Sequence, residues 1–425
     1  MRILIISKET WQNNTNGGNV LTNMFDNFDA TFAQIYCSSG LPKNTICSNY
    51  YQITDMMIVN NIFKNKKIGK RFILEKNDDL LTDDMAKVRA IGNFDILRVM
   101  RQIMWGLSDY KNADLTKFVL EFNPDIIFAP CYGTTYMLSL TRYVAKITKK
   151  PVISYISDDF YSFKQFRISP IYWINKFIIR NAVRKTWKYY DLIYTMTDVQ
   201  KNLMSSLGKP MKILRKSGKF EITNLKEIVY PIKIIYAGGI YLNRWKTLIH
   251  IAKAIKEINN EGIKFTLDIY TNNVVNKKIL KKLNDNTNCF FHKAIPFEQL
   301  KKEYLKSDIA LHVESFDVKN RLSVRMSFST KIIDCLDSGC AVMAVCDKKQ
   351  GGFAYLKKED AAICIETPKK IKWMLERIYS NPSIINDYKK KALECGIRNH
   401  KKNDICKELK MDFERIAYKN DYFTD

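Results

Sequence analysis

The richest group of residues that could do chemistry lies between Ser327 and Val345, where the sequence reads SFSTKIIDCLDSGCAVMAV. Ser329 and Thr330 precede Lys331, and Asp334 follows about one helical turn later. The start of a helix binds anions well, and a cation there is unfavourable unless an anion lies beside it. The pattern predicts an anion-binding helix in which Asp334 accepts hydrogen bonds from sugar hydroxyls. The structural alternative, compatible with the first, is a helix capped by Ser and Thr.

A second group follows the strand-like run IKIIYAGG, which ends at Gly239. Arg244 and Lys246 then arrive at the start of a predicted helix. Glycines let a ligand approach the backbone closely, and backbone amides, a helix dipole and two cations together bind a diphosphate. The pattern is neither a Walker loop nor a GxGxxG motif. The alternative is a turn followed by solvated cations.

The pair Gly17 and Gly18 follows the first strand-like run, Arg2–Ser7, and precedes a helix predicted over Val20–Phe28. This order of strand, glycine loop and helix is typical of the first unit of a doubly wound sheet. The glycines would let a ligand approach the backbone there. Asn-Gly-Gly is also simply a favourable turn.

Three carboxylates are candidate catalytic groups. Asp158 and Asp159 follow a predicted strand, and Glu314 ends another. A carboxylate in such a place can bind or deprotonate an acceptor hydroxyl, and the alternative for the Asp pair is a helix N-cap. Adjacent Asp residues match an alternating metal-binding pair poorly. Four His residues and no CxxC pair exclude a histidine-rich metal site but leave a carboxylate-bound ion open.

Two series of alternating strands and helices must position these groups. The predicted strands of the first series are Arg2–Ser7, Pro124–Pro130, Pro151–Ser157 and Asp191–Thr197, and those of the second include Ile232–Gly239, Phe265–Thr271, Asp308–Glu314 and CAVMAVC. Continuous apolar runs indicate parallel strands that are buried on both faces. The predicted fold class is therefore α/β, with two tandem Rossmann-like doubly wound domains that face each other across a cleft.

Other segments set the domain limits. The stretch from about Tyr50 to Tyr110 is less regular and is interpreted as an insertion or a lobe-edge region with helices. The polar segment Leu214–Pro231 is interpreted as a linker, and Gly339 as the C-cap of the helix that contains Lys331. The predicted domains are residues 1–222 and residues 223–400.

The composition indicates a globular protein with a strong excess of positive charge. Among 425 residues, 69 Lys and Arg oppose 44 acids, for a formal net charge of +25. This balance predicts an anionic partner, whether nucleic acid, an acidic membrane surface or phosphate-bearing molecules. The alternative is a Lys- and Asn-rich coding bias that decorates solvated faces.

The location is predicted to be cytoplasmic, with association at the inner face of the membrane as an option. The N-terminus reads as a strand and lacks the features of a signal peptide, and no stretch has the length of a membrane-spanning helix. The ten scattered cysteines are interpreted as buried thiols in a reducing compartment.

Over nearly the whole chain, and best from Ile232 to Ile365, the sequence resembles the family-four glycosyltransferases of the GT-B fold. These bacterial enzymes build capsular, exopolysaccharide and lipopolysaccharide chains. The segment STKIIDCLDSGCAVMAV is similar to the family's Thr/Ser-Lys pair, acidic residue, small-Gly turn and apolar strand. The resemblance implies a nucleoside-diphosphate sugar as donor, retention of anomeric configuration, no essential metal and no other cofactor. It also implies that a final helix, in residues 401–425, crosses back to the first domain.

The resemblance assigns donor-binding roles in the second domain. Asp334 takes the place of the family's second glutamate, which binds the donor ribose. Lys246, together with Arg244, would bind the pyrophosphate next to the turn at Gly239. Ser329, Thr330 and Lys331 would lie along the diphosphate and the donor sugar.

In the first domain, Gly17 and Gly18 match the family's glycine loop, which faces the donor. Asp158 falls near a family position that contacts the donor sugar and the acceptor. Two departures stand out: the family's first glutamate is replaced by Met326, eight residues before Asp334, and Ile240 stands where many members have Arg. Glu314 is a candidate for part of the missing glutamate's task.

Acceptors in this family are often lipid-diphosphate-linked glycans at the inner membrane face. Two basic segments are therefore candidates for contact with anionic lipid. One is IFKNKKIGKRF, and the other is the helix predicted over Ile171–Tyr190. The relevant side chains of that helix are Trp173, Phe177, Arg180, Arg184, Lys185, Trp187 and Lys188. The alternative is an ordinary helix whose aromatic face belongs to the core.

The leading hypothesis is glycosyl transfer from a nucleoside-diphosphate sugar to a glycan or lipid-linked glycan. A UDP-sugar 2-epimerase of the same fold is the second enzyme hypothesis, and it predicts activity on the donor alone. A basic nucleic-acid-binding protein is the non-enzymatic alternative, but the sequence has no helix-turn-helix, RNP or zinc motif, so no nucleic-acid partner is expected. The sugar, the acceptor, the linkage and the oligomeric state are left open.

Overall fold

The computed structural model describes residues 1–13, 16–74, 95–220 and 227–418. The described strands form two sheets, one in each half of the chain. The first has eight strands in the order β4-β3-β2-β1-β5-β6-β7-β8, and the second has six in the order β11-β10-β9-β12-β13-β14. Every neighbouring pair is parallel except β3 and β4. The predicted α/β fold class, with two doubly wound sheets, is confirmed.

The strands of the first sheet are β1 (Arg2–Ser7), β2 (Thr31–Tyr36), β3 (Asn49–Gln52), β4 (Lys70–Ile73), β5 (Ile126–Phe128), β6 (Val152–Ile156), β7 (Leu192–Thr195) and β8 (Met211–Ile213). The strands of the second sheet are β9 (Ile232–Ala237), β10 (Phe265–Thr271), β11 (Cys289–Lys293), β12 (Ile309–Val313), β13 (Ala341–Val345) and β14 (Ile363–Ile365).

The described helices of the first half are α1 (Asn16–Phe25), α2 (Asp55–Lys64), α3 (Asp95–Leu107), α4 (Ala113–Phe122), α5 (Thr135–Thr148), α6 (Pro170–Trp187) and α7 (Asp198–Met204). Those of the second half are α8 (Arg244–Ile258), α9 (Lys277–Leu283), α10 (Phe297–Leu305), α11 (Val318–Val324), α12 (Lys331–Leu336), α13 (Gly351–Lys358), α14 (Ile371–Ser380), α15 (Ser383–His400) and α16 (Lys402–Ala417).

The central strands are mostly apolar because helices cover both faces of each sheet. All five residues of β12 and all five of β13 are buried. Parallel strands buried on both faces require such continuous apolar runs. The strands therefore end abruptly at polar residues such as Glu314, and these residues collect at the edge of the sheet that faces the other lobe.

For the part of residues 50–110 that the structure describes, the prediction of a lobe-edge region with helices is confirmed, but two strands were missed; residues 75–94 lie outside the described residues. This stretch does contain helices α2 and α3, but β3 and β4 extend the first sheet. β4 pairs antiparallel at the edge, and three of its four residues are exposed. Such a short, solvated strand has neither the apolar run nor the alternation that marks a strand in a sequence. For similar reasons the short elements β8, α11 and α13 were not predicted.

The two lobes are joined by two crossings that lie side by side. In the first crossing, Phe220 packs into the core of the second lobe. The backbone N–H of Gly218 donates to the carbonyl of His400 at 2.9 Å, where the second crossing begins. α16 then packs on the first lobe, with Phe413 against Phe25 and Phe128. The predicted domain limit at residues 222 and 223 lies outside the described residues, as does the chain from 419 to 425.

The basic helix α6 has a core face and an outer face. Val183 and Trp187 are buried in the core of the first lobe, whereas Phe177 is exposed. Arg180 lies over the Tyr161 ring, with its guanidinium carbon 3.9 Å from the ring centroid. The prediction that Trp187 faces lipid is wrong, because this ring completes the packing of α6 against the sheet.

Within the described ranges, no helix is long and apolar enough to cross a membrane. The ten cysteines, all of which lie in these ranges, form no disulfide, and nine of them are buried.

Candidate active site

The candidate site lies where the carboxyl ends of the strands of the two sheets meet. Two contacts hold the lobes together beside it. Arg325 of the second lobe forms an ion pair with Asp159 of the first, with 2.6 Å between Nη2 and Oδ2. Thr197 Oγ1 donates to the carbonyl of Met326 at 2.9 Å. These contacts fix the position of the loop after β6 relative to the segment that leads to α12.

The turn after β9 and the side chain of Lys331 form one packed unit. Lys331 Nζ donates to Tyr236 Oη at 2.8 Å, and it lies 3.5 Å from the carbonyl oxygen of Gly239. Gly238 has φ of +141°, and a Cβ built on it would come within 2.5 Å of Lys331 Cδ. The glycine is therefore required both by its backbone conformation and by the close approach of the lysine.

The surroundings of Lys331 weaken its hold on a proton. Loss of hydration lowers the pKa of Lys331 to about 8, and the positive charge of Arg244 acts in the same direction. The carboxylate of Glu314 opposes this effect. An anion that binds beside such an ammonium group stabilises the charged form of the lysine. This group is the best-placed receptor for a negatively charged ligand among the predicted residues.

Arg244 and Glu314 form a buried bidentate ion pair. Arg244 Nε and Nη2 donate to the two carboxylate oxygens at 2.8 and 2.7 Å, and the residues are 6% and 3% exposed. Both had been predicted as separate functional groups, Arg244 for the pyrophosphate and Glu314 for catalysis. In the structure the two charges compensate each other, so the nearly neutral pair supports the turn after β9 from below.

Lys246 lies further out. Its Nζ is 2.9 Å from Oδ2 of Asp317, and Asn243 Nδ2 donates to the same carboxylate at 2.6 Å. The Lys246 and Asp317 side chains are 44% and 34% exposed. An exposed pair of this kind is easily opened, so Lys246 can turn toward a ligand at small cost.

The helix that carries Lys331 is shorter than predicted. α12 spans six residues, and Thr330 at its N-cap makes no side-chain capping bond. The prediction of a Ser/Thr cap was wrong, because Thr330 has helical backbone angles. The first turn is closed by the backbone N–H groups of Ile332 and Ile333, which donate to the carbonyls of Ser329 and Thr330. Gly339 has φ of +75° but lies beyond the helix end at Leu336.

Asp334 is contacted by a residue that the sequence analysis missed. Lys216, from the first crossing between the lobes, places Nζ 3.5 Å from Asp334 Oδ1 and 3.4 Å from the Thr330 carbonyl oxygen. The carboxylate is about one-third exposed. Lys216 stands in a polar linker with no periodic pattern, so only the fold reveals that it reaches α12.

The adjacent carboxylates Asp158 and Asp159 have different surroundings. Asp159 is buried and accepts from the backbone N–H groups of Tyr161 and Ser162, in addition to the pair with Arg325. Asp158 is exposed, and its Oδ2 is contacted by Ser157 Oγ at 3.3 Å. The surrounding protein still limits its hydration, which raises the pKa of Asp158, and the charge of Asp159 adds to this. Asp158 is therefore the accessible carboxylate of the two.

Gly17 and Gly18 lie in the first turn of α1, which begins four residues before the predicted start at Val20. They are therefore part of a helix and not of the loop that the sequence had suggested. Within the described residues, no three His, Cys, Asp or Glu side chains gather as a metal-binding group.

One cavity between the lobes, of about 130 Å³, lies beyond the contact of Thr197 with Met326. Arg215, Phe328 and Tyr355 are among its lining residues, and none of the predicted site residues lines it. The candidate site is distinct from this cavity.

The sequence matches no protein-family model, and no curated protein is similar enough to count as a relative. Solved structures, in contrast, match along the whole chain. Sucrose-phosphate synthase from Thermosynechococcus elongatus aligns with 99% of this chain and 100% of its own, with a TM-score of 0.64 and 10% identity. HepE from Anabaena, in complex with UDP-glucose, aligns with 97% and 99%, with a TM-score of 0.59 and 11% identity.

A third match is α,α-trehalose 6-phosphate synthase from Burkholderia multivorans, over 100% of this chain and 98% of its own, with a TM-score of 0.58 and 10% identity. At such low identity these matches establish the fold. The two lobes form the GT-B fold, so the resemblance predicted from the sequence is confirmed at the level of architecture.

Proposed function

We propose that this protein is a glycosyltransferase that moves a sugar from a nucleoside-diphosphate sugar to a hydroxyl of a glycan or lipid-linked glycan. The observation that carries the proposal is Lys331, whose ammonium group is held on the Gly-Gly turn with a pKa of about 8. A diphosphate beside this ammonium group would compensate its positive charge. HepE, which has the same fold, is described in complex with UDP-glucose, and this supports a nucleotide sugar as the donor.

The second lobe would bind the donor. Lys331, held against Gly238, would stabilise the charge that develops as the diphosphate departs. Lys246 would add a second cation by leaving Asp317. Ser329 and Thr330 would line the path of the diphosphate.

Asp334 would accept hydrogen bonds from the ribose hydroxyls. The contact of Asp334 with Lys216 is a long, partly exposed pair, so it would open or rearrange at small cost when the ribose arrives. Arg244 and Glu314 would hold the shape of the turn from below through their buried pair. Their roles would thus be positional, in place of the separate binding and catalytic roles predicted from the sequence.

Acceptor activation would come from the first lobe. Asp158 is the exposed carboxylate, and its raised pKa makes it a better proton acceptor than an ordinary aspartate. Asp159 would act through Arg325, by keeping the loop of Asp158 against the second lobe. Closure of the lobes would exclude water from the activated sugar. Attack from the face of the departing diphosphate, with retention, follows the family resemblance.

The biological setting that fits this chemistry is the synthesis of bacterial surface polysaccharide, such as capsule, exopolysaccharide or lipopolysaccharide. The enzyme would then work in the cytoplasm at the inner face of the membrane, where lipid-linked acceptors are exposed. We expect no essential metal, no cofactor beyond the donor and no nucleic-acid partner.

The test is a thermal-shift screen of the full chain against UDP-, GDP-, ADP- and dTDP-sugars. One nucleotide sugar is expected to raise the melting temperature, and the Lys331→Ala and Asp334→Ala variants should lose this increase. Lys281→Ala, at an exposed lysine of α9, is the matched control and should keep it. If none of the nucleotide sugars stabilises the wild type, the proposed donor site is wrong.

Turnover of the stabilising donor separates the enzyme classes. A transferase releases nucleoside diphosphate at a rate that depends on an added glycan acceptor. An epimerase converts the sugar of the donor without any acceptor, and this result would replace the proposal by the second enzyme hypothesis.

A further inference from the structure

Helix α3 presents an apolar stripe that is largely exposed in the part of the chain that the structure describes. Ile96, Met100, Ile103 and Leu107 are each more than half exposed. Their spacing of four, three and four residues places them on one face of the helix. The opposite face carries Trp105, which is buried in the core of the first lobe. The stripe is therefore the outer surface of a helix that is anchored to the core through Trp105.

Helix α6 presents a second stripe of the same kind. Ile171, Ile174 and Ile178 are exposed at helical spacing, and Phe177 lies beside them. Its inner face, with Ile179 and Val183, belongs to the same core cluster as Trp105. Both helices thus lie in one layer on the same face of the first sheet, and Gln102 Nε2 donates to Asn175 Oδ1 at 2.6 Å between them.

The loop before α6 extends this surface toward the candidate active site. Phe163 and Phe166 are about half exposed, and Ile168 is 88% exposed. The same loop begins just after Asp158 and Asp159, and the carbonyl of Lys164 accepts a hydrogen bond from Arg325 of the second lobe at 2.6 Å. The apolar surface, formed by the exposed side chains of α3, the loop and α6, therefore borders the acceptor end of the cleft.

The segments that form this surface are strongly basic. The segments 95–107, 160–169 and 170–187 contain eight Lys and Arg residues and one acid, Asp95. Of the cations, Arg98, Lys164, Arg167, Arg184 and Lys185 are exposed. A second copy of the same surface would carry the same charge, so pairing of two copies would be opposed by repulsion. A binding partner whose interior is apolar and whose surface is anionic would match both the apolar stripes and the positive charge.

We propose that the apolar surface docks on an anionic lipid bilayer. The stripes of α3 and α6 and the tip of the loop at Ile168 enter the boundary between headgroups and acyl chains, and the exposed cations meet lipid phosphates. The sequence had predicted lipid contact for the helix Ile171–Tyr190 and for residues 62–72. The proposed surface keeps the exposed side of that helix, without the buried Trp187, and adds α3 and the loop before α6. In so far as it brings a lipid-linked acceptor to Asp158, the inference rests on the proposed function.

The test is cosedimentation of the full chain with vesicles of phosphatidylcholine, with and without phosphatidylglycerol. Binding is expected to the vesicles that contain phosphatidylglycerol and to weaken with added salt. The double variant Leu107→Glu/Ile168→Glu should bind these vesicles at least about tenfold more weakly, because each change puts a carboxylate where an apolar side chain enters the membrane. The double variant Ile263→Glu/Leu305→Glu, at exposed apolar residues of the second lobe, is the matched control and should bind like the wild type.

Three outcomes would overturn the proposal. The first is the absence of binding to anionic vesicles by the wild type. The second is binding that the Leu107→Glu/Ile168→Glu variant keeps in full. The third is a wild-type dimer in solution that this variant dissociates, which would make a second copy the occupant. Donor stabilisation, measured on the same proteins without vesicles, stays unchanged in the double variant. Loss of lipid binding can therefore be distinguished from failure of the donor site.

Discussion

The two lobes present their functional carboxylates and cations in opposite ways. In the second lobe, Arg244 and Glu314 are buried as a pair and Lys331 is fixed on the turn after β9 before any ligand arrives. In the first lobe, Asp158 is exposed, and its place in the cleft depends on the contact of Asp159 with Arg325 across the lobes. The proposed diphosphate site is thus organised within one lobe, whereas the proposed acceptor site is organised by the meeting of the two lobes.

The two halves of the proposed reaction should therefore respond separately to mutation. Changes around Lys331 should affect the donor alone. Changes at the contact between the lobes should affect the acceptor and leave donor binding nearly intact.

The largest effect is expected for Lys331→Met. Donor stabilisation should be lost and kcat/KM should fall by at least about a hundredfold, because a cation at the departing diphosphate contributes several kcal/mol. The same change should raise the melting temperature of the ligand-free protein, since a partly desolvated charge is replaced by an apolar chain of similar length. Titration calorimetry and scanning calorimetry measure the two effects. If the Lys331→Met variant bound the donor normally, Lys331 would not organise the proposed donor site.

The Lys331 variant has a further signature in its pH dependence. The pKa of Lys331 is lowered in the folded state, from 10.5 to about 8, so between these values the unfolded state binds more protons. Stability of the wild type should therefore gain a contribution as the pH rises from about 8 to 10.5, and the Met variant should lack it.

The next effect is expected for Glu314→Gln. It leaves the Arg244 charge buried without its partner, which should lower the free energy of unfolding by about 3 kcal/mol. Urea unfolding checks this value. Glu298→Gln, in an exposed pair with Lys301, is the control and should cost less than about 1 kcal/mol. Equal costs for the two variants would show that the buried pair does not organise the donor side.

Arg325→Ala addresses the acceptor side. It removes the ion pair with Asp159 and two other contacts across the lobes, so the loop of Asp158 should lose its position. We expect kcat/KM for the acceptor to fall by about tenfold to a hundredfold, as for other changes that misplace a reacting group. The dissociation constant of the donor should change by less than about threefold. If donor binding fell to the same extent as acceptor turnover, the two sites would not respond separately to mutation, and the proposed difference between the lobes would be wrong.

The smallest effect is expected for Lys246→Ala. Its exposed pair with Asp317 should contribute less than about 1 kcal/mol to stability. If Lys246 joins the diphosphate as proposed, donor affinity should fall about fivefold to tenfold, as expected for one solvated cation. Equilibrium binding of the donor checks this value, and unchanged affinity would leave Lys331 as the cation that matters.

The sequence predicted the strands that carry the site better than the contacts within it. Buried strands such as β12, which is apolar except for His312, are marked in the sequence by their apolar runs, and the topology alone places a candidate residue at the end of such a strand. The pairing of Arg244 with Glu314 joins residues 70 positions apart, and that of Asp159 with Arg325 joins residues 166 positions apart. No local pattern encodes which carboxylate such an arginine will meet. The role of Lys216 was missed for the same reason.

The exposed apolar stripe of α3 shows a different limit of prediction from sequence. Its apolar residues follow helical periodicity, but a sequence alone does not say which of two apolar faces packs on the sheet and which meets solvent. The packing of Trp105 decides the question, because its ring stacks on Tyr136 with centroids 4.1 Å apart.

The most direct test of the account is the pH dependence of binding for the nucleotide sugar that stabilises the protein. Lys331 is charged below a pKa of about 8 and loses its proton above it, so donor affinity should be constant up to about pH 8 and then fall, by up to tenfold per pH unit. Lys331→Arg should bind the donor with an affinity that stays flat to higher pH, because arginine keeps its charge. Affinity of the wild type that is unchanged from pH 7 to about pH 10 would contradict the claim that this lysine holds the diphosphate.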